Sequence, residues 1–125
     1  MREIIAIIRN NKVASTKKAL VDAGIPALTG VHCHGRGHHG VDFTLQVAPT
    51  AANTEACSAQ APSLLPKYLL NIAVPKNCVK RVVDIIAAEN HTGTAGDGKI
   101  FVLPIEETIR MRTGETGHNA LDEMA

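Results

Sequence analysis

Residues 92–99 read TGTAGDGK, with three glycines in six positions followed at once by a lysine. Closely spaced glycines let successive backbone amides turn toward one point, a nest that suits an anion. Lys99 adds a positive charge beside it. The string Gly93-x-x-x-x-Gly98-Lys99 nearly spells a P-loop, but residue 100 is Ile where the magnesium-binding Ser or Thr belongs. The loop is also expected to leave a helix and enter a strand, the reverse of a P-loop. A different kind of phosphate loop is expected. Downstream, Arg110 and Arg112 in IRMRTGE alternate by two, so on a strand both project from one face. Guanidinium groups suit bidentate phosphate contacts, although the same spacing also describes an ordinary solvated strand face. Asp97 repels phosphate if it points inward, so it is expected to cap backbone amides or to meet an arginine.

A second dense stretch is VHCHGRGHHG, residues 31–40. His32 and His34 alternate on one strand face, a spacing that can chelate zinc, while Cys33 points to the other. His38 and His39 would have to fold back to complete such a shell; solvated or packed histidines are the plainer reading. Cys33, Cys57 and Cys78 are odd in number and irregularly spaced, which is no disulfide framework and fits a reducing cytoplasm. Catalysis lacks its usual parts. Near the expected cleft the acids are Asp97, Glu106 and Glu107, without a nucleophile–base set or metal cluster to serve them.

The elements that must carry these loops follow from hydrophobic patterning. With 125 residues, 45% of them hydrophobic, one domain with a sizeable core is expected. The formal charge of +1 and the scarcity of aromatic residues disfavour nucleic-acid binding. The N-terminal apolar run is too short for a membrane span. Glu3–Arg9 reads as a buried strand. Asn10 and Asn11 are candidate helix caps. A helix then begins at Val13, with Val13, Thr16, Leu20 and Ala23 on one stripe and Gly24 at a left-handed C-terminal cap. Ile25–His34 is strand-like. Sixty-six residues on, roughly, the order returns. Tyr68–Val74 is a strand, Asn77 a cap, and Val79, Val82, Val83 and Ile86 a helical stripe, with Asn90 standing where Gly24 stood. Lys99–Pro104 is a fourth strand and Ile109–Arg112 a short fifth; the polar tail from Glu115 to Ala125 looks mobile. Strand–helix–strand written twice predicts an α+β fold, the ferredoxin-like double βαβ sandwich. A long Ala/Thr/Ser-rich connection, about residues 37–64, separates the halves; loops of that length are usually functional or disordered.

TGTAGDGKIFVLPIEETIRMRTGETG closely resembles the nitrogen-regulatory PII family in its TG-x-x-GDGKIF loop and its R-x-RTGE segment. EIIAIIRNNKVASTKKAL adds a resemblance to the second paralogue of the PII subgroup found in nitrogen-fixation clusters. The resemblance implies a trimer of double βαβ chains, with the long loop between strands two and three. It implies ATP or ADP in clefts between subunits, Mg²⁺, and 2-oxoglutarate as effector. Carried over, the nucleotide residues are Thr29, Gly35, Gly37, His38, Thr92, Gly96, Asp97, Gly98 and Lys99, with Arg110 and Arg112 arriving from the neighbouring subunit. Lys67, His39 and Gly40 fall on the 2-oxoglutarate side, and His39 stands where the family has a magnesium-binding glutamine. Imidazole is less suited to Mg²⁺ than that amide oxygen. The implied role is regulatory rather than catalytic. The chain would act as a homo-trimer or with a sister PII paralogue and would bind the dinitrogenase component. An ammonium channel or metabolic enzyme is the alternative target, and a metal-sensing PII-like trimer the alternative role.

Overall fold

The computed structural model describes residues 1–37 and 64–121. Strand β1 (Arg2–Ile8) leads through a 3-10 turn, Asn10–Lys12, into helix α1 (Val13–Asp22) and then β2 (Thr29–Gly35). The second half repeats this with β3 (Leu65–Val74), a 3-10 turn at Lys76–Cys78, α2 (Val79–Asn90) and β4 (Lys99–Pro104). The strands form one antiparallel sheet in the order β2-β3-β1-β4, the expected double βαβ arrangement. Both 3-10 turns and both helix starts recur at the offset seen in the sequence.

Burial explains why this chain forms these layers. Along β1 the pattern alternates, with Ile4, Ala6 and Ile8 buried; on β3, Leu70, Ile72 and Val74 are buried. These six residues face the helices, which contribute Thr16 and Leu20 from α1 and Val82 and Ile86 from α2. Burying a side chain of this size contributes about 2 kcal/mol, so the stripe at helical spacing decides which face each helix turns inward. Among the described residues no helix is long and apolar enough to cross a membrane.

Local details agree with the sequence reading at some points and depart from it at others. Gly24 takes φ +82°. Its amide donates to Val21 O at 2.9 Å, and the Ile25 amide donates to Leu20 O at 2.9 Å, the two bonds of a Schellman end. Ile25 is fully buried behind it. Strand β2 therefore starts four residues later than Ile25, because this cap and Pro26 occupy the intervening chain. Asn10, Asn11 and Asn77 do not cap; neither helix has a side-chain cap bond, since the 3-10 turns deliver the chain into each helix. Asn90 is no left-handed terminus. It lies inside α2, buried, donating to Ile86 O at 2.8 Å and to Thr16 Oγ1 at 3.0 Å across the helix pair.

The expected fifth strand is also corrected. Ile109 makes a lone bridge to Thr116, after which the chain turns back. Gly114 (φ +75°) donates to Arg110 O at 2.7 Å and Arg110 donates to Glu115 O at 2.8 Å. Arg110 and Arg112 are thus not paired on a strand face, and Arg110 forms a salt bridge with Glu115 across its own turn. The tail is partly held. Residues Gly117–Ala120 form a 3-10 turn with Ala120 buried, and the Gly117 amide donates to Glu107 Oε1 at 2.9 Å. Residues 122–125 lie outside the described residues, as does nearly all of the long connection.

Candidate nucleotide site

One end of the sheet collects the charged residues. β1 ends at Ile8, β2 ends at Gly35, β3 begins at Leu65 and β4 begins at Lys99, so all four strands present the same end there. The loop from His91 to Gly98 folds over that end. Thr29 lies at the opposite end of β2, about 20 Å from Gly35 along an extended strand. A single chain therefore brings together Lys67, Thr92, Gly96, Asp97, Gly98 and Lys99, but not Thr29. His38, His39 and Gly40 lie outside the described residues, so the magnesium and effector roles expected of them stay with the sequence. Gly35 closes β2, and Gly37 is exposed.

Asp97 organises the loop. Its Oδ2 accepts from the amides of Thr92 at 2.8 Å and Gly93 at 3.0 Å, while its Oδ1 accepts from the Thr92 hydroxyl. Arg9 Nη1 completes the set at 2.5 Å from Oδ1. The sequence reading anticipated amide capping or an arginine, and both occur. The Thr92 hydroxyl and amide, then Arg9 and Gly93, hold the carboxyl well below the usual carboxylate range. A depressed carboxylate stabilises the fold above its unfolded value near pH 3.9 and loses that contribution as pH falls through the lower folded value. Asp97→Asn is accordingly expected to be less stable than wild type at pH 7 and to narrow that gap below about pH 4. Thermal midpoints measured from pH 2.5 to pH 7 would test this; a gap constant across the range would remove Asp97 from this role.

Arg9 is the residue that sequence reasoning missed. It follows β1 directly, and its two terminal nitrogens reach four loop residues. Nη1 serves Asp97 and lies 3.4 Å from the Thr92 hydroxyl; Nη2 donates to the Thr94 hydroxyl at 3.1 Å and to Ala95 O at 2.9 Å. A cation directly after the apolar run Ile4–Ile8 was the available signal, but its partners lie 83–88 positions away. Beside it, Lys67 Nζ donates to Gly96 O at 2.8 Å. Burial, and then the like charge of Arg9, push the Lys67 ammonium down from its ordinary value, with Asp97 and Cys33 acting the other way.

Glycine is required at two points of this loop. Gly96 (φ +99°) passes close under the Arg9 and Lys67 head groups, and Gly98 (φ +112°) lies against the backbone carbonyl of Ile7. Lys99 then opens β4 opposite Ile7, exposed. A cavity of about 260 Å³ lies under the loop, bordered by Ile86, Asn90, Gly98 and Lys99. Asp97 neutralises Arg9, so Lys67 and Lys99 leave a positive excess at a glycine-rich backbone, a setting suited to phosphate. His32 and His34 lie apart from this loop on β2, exposed, with the His32 ring edge-on to Tyr68 at 5.0 Å. Among the described residues no three of His, Cys, Asp and Glu are grouped to hold a metal.

Comparison with known proteins gives the family. The family described as "Nitrogen regulatory protein P-II" matches residues 1–115. A "Nitrogen fixation nifHD region GlnB-like protein 2" of Methanothermococcus thermolithotrophicus is 43% identical, the match covering 97% of this chain and 98% of that one. A protein of the same description from Methanobacterium ivanovii is 38% identical over 97% of this chain and 99% of its own. "Nitrogen regulatory protein P-II" of Azospirillum brasilense is 34% identical over 97% of this chain and all of its own. Fold, glycine loop and near-complete alignment agree, and this chain belongs to the nitrogen regulatory P-II family.

Proposed function

We propose that this protein is a nitrogen-regulatory sensor that binds ATP or ADP at the Gly96–Lys99 loop and controls nitrogenase by binding the dinitrogenase component. The observation that carries the nucleotide is the loop itself. Two left-handed glycines bring backbone close to Arg9, Lys67 and the β1 end, Asp97 is spent internally, and Lys99 is left exposed at the rim. Thr29 stands at the far end of β2, and Arg110 sits on a separate turn. Their assigned contacts are therefore made to the nucleotide of a neighbouring copy in a trimer. The open face of the sheet, opposite the helices, suits that assembly because it carries Val31, Leu69, Ile7, Ile5 and Phe101.

Lys67 is the residue through which 2-oxoglutarate would be sensed, with His39 and Gly40 completing that side and His39 reaching the magnesium of bound ATP. The control is regulatory rather than catalytic, exerted in the cytoplasm by a homo-trimer or by a hetero-oligomer with a sister P-II chain. The relatives' descriptions, which refer to a nitrogen-fixation region, favour dinitrogenase as the target.

Lys99→Ala tests the site. Removing a phosphate-facing ammonium is expected to weaken ATP and ADP at least tenfold in calorimetry, about 1.4 kcal/mol or more. Because the side chain is exposed, the thermal midpoint without ligand should hardly move. Dissociation constants equal to those of wild type would overturn the assignment of phosphate to this loop. Loss of dinitrogenase inhibition in a reconstituted assay, restored by wild-type protein, would support the target.

A further inference from the structure

We propose that Arg9, together with Lys67, is a positioning residue that turns two consecutive amides of the loop toward the phosphate. This rests on the nucleotide reading above and adds how the loop is aimed. In a trans peptide the carbonyl of one residue and the amide hydrogen of the next point in opposite directions. Arg9 Nη2 holds Ala95 O at 2.9 Å, so the Gly96 amide is directed away from Arg9. Lys67 Nζ holds Gly96 O at 2.8 Å, so the Asp97 amide is directed away from Lys67.

Both cations lie on one side of the chain. A Cβ built on Gly96 would sit 3.3 Å from Arg9 Nη2 and 3.4 Å from Lys67 Nζ. The two amides consequently share the other side, and Gly96 is an exposed residue. Adjacent amides presented together make an anion nest, and the left-handed φ of Gly96 permits the bend that gathers both carbonyls behind it. Arg9 does more than a point charge here. Its planar fork spans Asp97, Thr94 and Ala95 O at once, a geometry that a lysine ammonium does not reproduce. Arg9 acts through the loop; direct contact with the nucleotide is not part of its role.

The test compares wild type, Arg9→Lys and Arg9→Gln by calorimetry with adenosine, AMP, ADP and ATP, and follows ¹⁵N-labelled Gly96 and Asp97 amides by NMR. In wild type both amide resonances should move on adding ADP. Arg9→Gln should weaken ATP and ADP at least tenfold while changing adenosine less than twofold, because the loss lies with the phosphates. Arg9→Lys should recover less than half of that loss on a logarithmic scale. ATP binding within twofold of wild type in Arg9→Gln, full rescue by Arg9→Lys, or Gly96 and Asp97 amides that stay still when ADP binds would each overturn the proposal. If Arg9→Gln does not fold, Arg9→Lys and the wild-type amide shifts decide alone. Wild type that binds neither nucleotide would instead refute the nucleotide reading, and this proposal with it.

Discussion

Gly98→Ala is expected to lower the thermal midpoint by roughly 10 °C and to abolish measurable ADP binding. The new Cβ would lie 1.9 Å from the carbonyl oxygen of Ile7 and 3.0 Å from its carbonyl carbon. Both are backbone atoms of a central strand, so no flexible side chain can move aside. The φ of +112° adds strain of its own for a residue with a Cβ. Ile7 pairs with Lys99 at the end of the β1–β4 ladder, one residue from the substitution. Relief requires the ladder to open where it anchors the glycine loop. A cost of about 3 kcal/mol is in the range of backbone strain combined with overpacking, and for a domain of this size that gives the stated shift. Gly93→Ala is the control. It shares a left-handed φ of +82° but has nothing within 4 Å of its Cβ, so it should cost only about 1 kcal/mol. Equal midpoints for the two variants, at matched protein concentration, would show that Gly98 does not press on Ile7.

The contrast between these two glycines marks where sequence stops being informative. TGTAGDGK announced a turning, glycine-rich loop because glycine spacing is a local property, and Gly24 announced a helix end for the same reason. β1 was legible as a strand from its apolar run, although Ile4–Ile8 are all apolar and do not reveal which face is buried. The stripe of Val82 and Ile86 was legible because it repeats at the helical period. The internal repeat guided the topology correctly at Val13 and Val79, then misled at Asn90. Its side chain was needed between the helices to meet Thr16, a partner 74 positions away. Arg110 and Arg112 misled through spacing alone. The left-handed turn at Gly114 and the pairing of Arg110 with Glu115 outweigh any strand preference there. Arg9 escaped for a related reason. Its four loop contacts arise because β1 and β4 are neighbours, which no window along the chain reveals. The P-II resemblance supplied residues that periodicity had no means of finding, among them Lys67, and the comparisons bear out the family. The positions it assigned at His38, His39 and Gly40 lie outside the described residues.

Phe101→Asp should convert the proposed trimer to monomer at micromolar concentration, raising the dissociation constant at least a hundredfold, about 2.7 kcal/mol. Cross-strand pairing fixes which residues share the open face. Val31, Leu69, Ile7 and Lys99 form one row across all four strands, and Thr29, Asn71, Ile5 and Phe101 the next. Apart from Lys99, Thr29 and Asn71 these are apolar, and Val31 and Phe101 are 53% and 44% exposed in the single chain. An apolar face of that extent is uncommon on a protein that stays alone in water. Phe101 lies on an edge strand, where a carboxylate in the isolated chain remains solvated, so the fold should persist with unchanged circular dichroism. In the assembly the same carboxylate would be buried without a partner in every interface at once, which is costly. Nucleotide affinity should fall with the mass, because the contacts proposed for Arg110 and Arg112 of a neighbour would be lost. Sedimentation of the variant at wild-type mass, or monomer that binds ATP as tightly as trimer, would separate this face from the assembly and the nucleotide cleft from the neighbouring subunit.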